Sequence, residues 1–188
     1  MNPKPPRALK QRLNGLWLFS PERLWRLSIR LARSGHTTLA FTVKQLNTLI
    51  YHNSLAPGAI VGPGVYLGHN SLGVVVSPNV VIGSNVVIWQ NATLTAGRRR
   101  HGEPPHAPPP KIVVGDHVKI GANAVVIAPR GRSLHIGRGA RIGAGTVVTE
   151  DVPPRATVVG QPPRILLARE DAEPHTPEPH PTDLKGDS

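Results

Sequence analysis

The sequence predicts a mainly-β chain wound as a parallel β-helix behind a short helical prelude. Two observations carry this. An isoleucine, valine or leucine followed by a small residue recurs in sixes through two blocks, Val61 to Leu94 and Val114 to Val148. The recurring apolar residue is β-branched at Val61, Ile82, Ile88, Val114, Ile120, Ile136 and Ile142. A six-residue period with a glycine-tolerant corner describes a coil in which each short strand buries one apolar side chain and equivalent residues stack in columns. β-Branched side chains suit such strands better than a helix. A sandwich of short strands has period two, which does not by itself place a small residue after every sixth apolar one.

Composition sets the outer bounds. The 188 residues allow one principal domain, and with aromatics at 4% its core has to be built from aliphatic columns. The absence of cysteine excludes disulfides, thiolate nucleophiles and cysteine metal sites, and suits the cytoplasm, the location expected here. No stretch approaches the roughly 18 consecutive apolar residues of a membrane span, so neither a signal peptide nor an anchor is expected.

Taken in order, residues 1–52 form a helical segment. Ser20-Pro21-Glu22 supplies an N-cap, a first-turn proline and a first-turn acid, and Gly35 supplies a stop. Leu24, Leu27 and Leu31 make an apolar stripe there, widened by Trp25, Ile29 and Ala32. A second helix from about Thr38 to Tyr51 places Leu39, Val43, Leu46 and Ile50 on one face. Arg23, Arg26, Arg30 and Arg33 line the first helix, which leaves open a peripheral contact with an acidic membrane or a partner enzyme, or plain solvation beside a packed stripe.

Residues 53–166 carry the repeats. Gly97 to Pro110 interrupts them with five prolines, able to continue neither strand nor helix, and is expected to leave the coil as a loop. Arg130-Gly131-Arg132-Ser133 reads as a smaller insertion. Residues 167–188 hold too little apolar content to fold and are expected to be disordered.

The formal charge of +11 is unevenly spread, with basic residues concentrated in 1–52 and 98–141 and acids in the tail. Such a field attracts nucleic acid, anionic membrane or a phosphorylated small molecule without choosing among them. Nucleic acid is not expected as a partner, because Arg98-Arg99-Arg100 has no interleaved aromatics and no recognised binding module around it.

Three stretches, Val65 to Val76, Ile88 to Leu94, and Ile142 to Val148 followed by Asp151 to Pro154 and Val158 to Gly160, resemble the serine acetyltransferase branch of the hexapeptide-repeat acyltransferases. The likeness covers roughly residues 20 to 166. It implies a left-handed β-helix of about five coils, homotrimeric, that moves an acetyl group from acetyl-CoA to an acceptor hydroxyl, with no metal. It places His69 on the family's catalytic histidine, a neutral imidazole that removes the acceptor's proton and passes it to the departing CoA sulfur. A backbone N–H at a coil corner is the expected oxyanion stabiliser.

The same likeness implies that Ala96, Ala122 and Ala144, with Gly121, line the pantetheine groove, although plain corner residues would leave the same letters. It brings Arg141 and Arg164 toward the nucleotide phosphates. The chain departs from the family at Gly68 and Ser54, where the family has an acid and an aspartate. It departs again at Pro108-Pro109, where the family has Arg-His, with His101 and His106 displaced upstream. The expected acceptor is therefore a sugar or glycoconjugate precursor; serine itself, and a degenerate non-catalytic scaffold, are the alternatives. Metal chemistry like that of γ-class carbonic anhydrases is disfavoured, since His69, His101, His106, His117 and His135 show no ligand spacing.

Overall fold

A computed structural model describes residues 20–97 and 109–160. Helix α1 spans Pro21–Arg33 and helix α2 Thr37–Tyr51. The chain then winds through three parallel sheets in strict rotation. The first sheet holds Ser54–Leu55, Val75–Val76, Thr93–Ala96, Val125–Ala128 and Val147–Val148. The second holds Ile60–Val61, Val80–Ile82, Ile112–Val114 and Leu134–Ile136, and the third Tyr66–Leu67, Val87–Ile88, Lys119–Ile120, Arg141–Ile142 and Thr157–Val158. A single bridge from Val152 to Ile136 continues the second sheet into the last coil.

The register turns the six-residue period into three columns. Leu55, Val76, Leu94, Val126 and Val148 pair in succession on the first sheet. Val61, Ile82, Val114, Ile136 and Val152 do so on the second, and Leu67, Ile88, Ile120, Ile142 and Val158 on the third. Most of these side chains are buried to within a few per cent, so the aliphatic core is continuous from end to end. Departures from the period fall at corners: Gly68–Gly73 between the third and first sheets and Pro129–Ser133 between the first and second.

The corner glycines between the second and third sheets are demanded by close stacking of coils. A Cβ on Gly62 would lie 2.6 Å from the carbonyl of Gly83, and one on Gly83 2.6 Å from Asp116 Oδ1. That same Asp116 oxygen accepts the Ser84 N–H at 2.7 Å, tying one coil to the next.

The first coil would expose an unpaired edge, a liability in any sheet, and α1 covers it on all three sides. Trp25 Nε1 donates to Ala56 O at 2.9 Å beside the first sheet, and Arg26 Nη2 donates to Gly62 O at 2.6 Å beside the second. Glu22 Oε1 accepts the Leu67 N–H at 3.0 Å on the third. Ser20 caps the helix as its sequence predicts, accepting from Arg23 N at 3.3 Å.

Two features of the prelude go beyond its sequence pattern. Arg26 is half-buried and bonded to the coil, so it is not one of a row of solvated arginines. The α2 stripe does not meet the chain's own core. Leu39, Leu46 and Ile50 are 50%, 41% and 45% exposed, and Phe41 and Leu49 widen the open apolar face. Only Ala40 and Asn47 of that helix are buried.

Candidate active site

His69 sits on the insertion between the third and first sheets. Nine positions separate Leu67 from Val76 where six separate Leu55 from Val61 and Val61 from Leu67, and the surplus forms a 3-10 turn, Gly68–Ser71. His69, Asn70 and Ser71 all adopt left-handed backbone, with φ of 49°, 55° and 61°. Each such residue costs about 1–2 kcal/mol, so three in succession persist only where the surroundings hold them.

The holding groups are identifiable. Gly73 N–H donates to His52 O at 2.9 Å, and Val74 N–H to Ser71 O at 3.0 Å. Ser71 Oγ, fully buried, donates to Asn70 O and accepts from Asn53 Nδ2 at 2.8 Å. Asn53 Nδ2 also donates to Asn47 Oδ1 at 3.1 Å, and Asn47 Nδ2 donates to Pro21 O at 3.0 Å. A buried polar chain thus runs from the start of α1, through α2, to the turn that presents His69.

The imidazole itself is exposed, and the indole of Trp89 lies beside it, ring centroids 5.8 Å apart and planes at 46°. Trp89 belongs to the next coil at the same corner. Hydrogen bonds from Asn91 N to Leu72 O, from Asn123 N to Gln90 O and from Gly145 N to Ala122 O stack the corner segments one on another. His69, Trp89, Ala122 and Ala144 therefore share one edge of the prism.

Beyond Trp89 that edge is nearly bare. Ala144 and Gly145 are exposed, and a Cβ built on Gly145 meets nothing within 4 Å. Gly121 has a packing reason of its own, since its Cβ would lie 2.5 Å from Ala144 N. Ala96 lies elsewhere, at the end of a first-sheet strand and paired with Ala128. Arg141 is exposed on the third sheet in register with Lys119, one strand residue before the bare corner begins. Arg164, His101, His106, residues 98–108 of the loop and the tail all lie outside the described residues.

At the positions where the resemblance expects acids, Gly68 is buried and Ser54 is half-buried in the first sheet, paired with Val75. Among the described residues no three His, Cys, Asp or Glu side chains are grouped to hold a metal, and no helix is long and apolar enough to cross a membrane.

Sequence reasoning did not find the supports of the site: Asn47, Asn53 and Ser71, or the contact between Trp89 and His69. A weak signal was available in Asn53 and Ser71, polar residues flanking columns that are otherwise aliphatic.

The repeat geometry defines a parallel β-helix, and its structural neighbours make it the left-handed form built from hexapeptide repeats; residues 111–150 match the family model described as hexapeptide repeat of succinyl-transferase. Within that class the chain is similar to the serine acetyltransferase-like branch of the hexapeptide-repeat acyltransferases. It is 34% identical over 148 residues to serine acetyltransferase of Escherichia coli (strain K12), an alignment covering 79% of this chain and 50% of that protein. Soybean serine acetyltransferase apoenzyme superposes with a TM-score of 0.64 at 34% identity, over 78% of this chain and 56% of that one. The Neisseria gonorrhoeae enzyme in complex with serine superposes with a TM-score of 0.62 at 33% identity, over 76% and 54%. The chain spans about half the length of these relatives.

Proposed function

We propose that the chain is an acetyl-CoA-dependent O-acetyltransferase in which His69 is the general base. The observation that supports this best is the single prism edge carrying an exposed His69 at its head and bare Ala122 and Ala144 corners further along it. An extended thioester cofactor needs close access to backbone, which alanine and glycine leave open. Ala122, Ala144 and Gly145 are thus suited to the pantetheine arm, and Arg141 to a phosphate through charge-assisted hydrogen bonds. Ala96, on another side of the prism, has no place in that lane on this chain.

In the reaction, the neutral His69 imidazole takes the acceptor hydroxyl proton as the oxygen attacks the thioester carbonyl. The tetrahedral adduct then collapses, breaking the carbon–sulfur bond, and the protonated imidazole returns the proton to the CoA sulfur. The acetyl ester and free CoA leave, and His69 is again neutral.

Among acceptors, the comparisons favour serine, the alternative weighed from the sequence, over a sugar or glycoconjugate precursor, since the relatives are named serine acetyltransferases. One observation speaks for a neutral hydroxyl acceptor as the second reading: Gly68 at this corner and Ser54 on the first sheet offer no carboxylate to an ammonium group. A homotrimer belongs to the same proposal, as do the cytoplasmic setting and the domain division at 52 and 166.

The test is CoA release from acetyl-CoA against serine, simple sugars, nucleotide sugars and short oligosaccharides, with His69→Ala in parallel. Release that requires both an acceptor and His69 supports the transferase and names the acceptor. Binding of acetyl-CoA without any acceptor-dependent release would sink it.

A further inference from the structure

A general base works only if its nitrogen is aimed, and position 54, where the resemblance expects an aspartate partner for His69, holds a serine. What lies against the His69 ring is the Trp89 indole, at 5.8 Å between centroids. Trp89 is held at its backbone and packed at its ring. Its backbone N–H donates to Ile120 O at 3.0 Å in the next coil. Its benzo edge presses on the Gly68 backbone so closely that a Cβ there would fall 2.5 Å from Cε3, 3.1 Å from Cζ3 and 3.3 Å from Cδ2.

We propose that Trp89 is the positioning residue of His69 and that Gly68 is the residue that admits it. Any side chain at position 68 needs the space the indole occupies, so the indole at 89 requires the glycine at 68. The strained turn sets the His69 Cα, through the three left-handed residues and the Ser71–Asn53 bond. Trp89 then limits the rotation of the ring about its side-chain bonds, leaving one face and edge open to substrate. The indole is 39% exposed, so it borders the open site instead of being sealed in the core. This rests on the reading of His69 as general base.

The test joins kinetics to a substrate-free spectrum. Trp89→Leu is expected to lower kcat by about ten- to a hundredfold, the cost of a misaimed catalytic group, with KM for acetyl-CoA within about twofold of wild type. Trp89→Phe, which keeps a ring in place, should recover most of the rate, and Gly68→Val should reproduce the loss by displacing the indole. In NMR spectra of the intact protein without substrate, the His69 ring protons, assigned by their disappearance in His69→Gln, should shift in Trp89→Leu and in Gly68→Val as the indole ring current is removed, and stay put in His135→Gln. Unmoved His69 resonances in Trp89→Leu overturn the contact. Shifted resonances with unchanged kcat overturn the positioning role alone. A wild-type protein that binds acetyl-CoA yet transfers to no acceptor overturns the general-base reading, and the positioning role with it.

Discussion

Replacing Asn53 with alanine tests how the His69 turn is held. Its amide, 3% exposed, donates to both Asn47 Oδ1 and Ser71 Oγ. Removing it deletes two buried hydrogen bonds, each worth about 1 kcal/mol net, and leaves Asn47 Oδ1 buried without that donor at a further cost of about 1–3 kcal/mol. Two features reduce the sum. Ser71 Oγ keeps its bond to Asn70 O, and Asn53 Oδ1, a buried acceptor without a partner among the described residues, disappears with the side chain. The expected loss is about 2–3 kcal/mol, read from the urea midpoint at unchanged slope. Because the deleted bonds anchor a turn of three left-handed residues, kcat should fall as well, by about tenfold or more. A stability loss below about 0.5 kcal/mol would refute the role assigned to this buried chain, and a full loss of stability with kcat intact would show that the turn keeps its shape unaided.

Other expectations follow from the coil itself. Ile120→Ala, fully buried in register between Ile88 and Ile142, should cost about 3–4 kcal/mol in urea unfolding, from the lost transfer energy and the cavity left behind. Gly83→Ala should destabilise by about 1–3 kcal/mol, because its Cβ would lie 2.6 Å from Asp116 Oδ1 and 2.9 Å from Asp116 N and Gly115 C. Glu22→Ala leaves the Leu67 N–H at the open edge without its acceptor and should cost about 1–2 kcal/mol, with amide exchange at Leu67 accelerated. Light scattering on the purified protein should give three times the chain mass of 20.1 kDa, and a monomer would contradict the trimer in the proposed function.

The columns were legible because a six-residue period survives wherever coils are uninterrupted: Val61, Ile82, Val114 and Ile136, picked out by spacing, fall in one register. The start of α1 was legible because Ser20-Pro21-Glu22 acts locally. Contacts made across the coil were not. Nothing local says that Glu22, Trp25 and Arg26 each reach a different side of the first coil, or that Asn47, Asn53 and Ser71 converge from an α-helix, the link that follows it and the His69 turn. Ala96, Ala122 and Ala144 each follow a column residue by two positions, but Leu94 belongs to the first sheet while Ile120 and Ile142 belong to the third, so equal spacing concealed different sides of the prism. The α2 stripe shows the limit of periodicity in another way. It revealed an apolar face without saying what covers it, and on the single chain that face is open.

The most direct test of the account is the acceptor-dependent release of CoA by the wild-type protein and by His69→Ala. The exposed imidazole makes little contribution to folding, so the variant should unfold within about 0.5 kcal/mol of wild type, bind acetyl-CoA normally, and turn over about two to four orders of magnitude more slowly. Near wild-type turnover by a folded His69→Ala protein would remove this histidine from the chemistry and contradict the central claim.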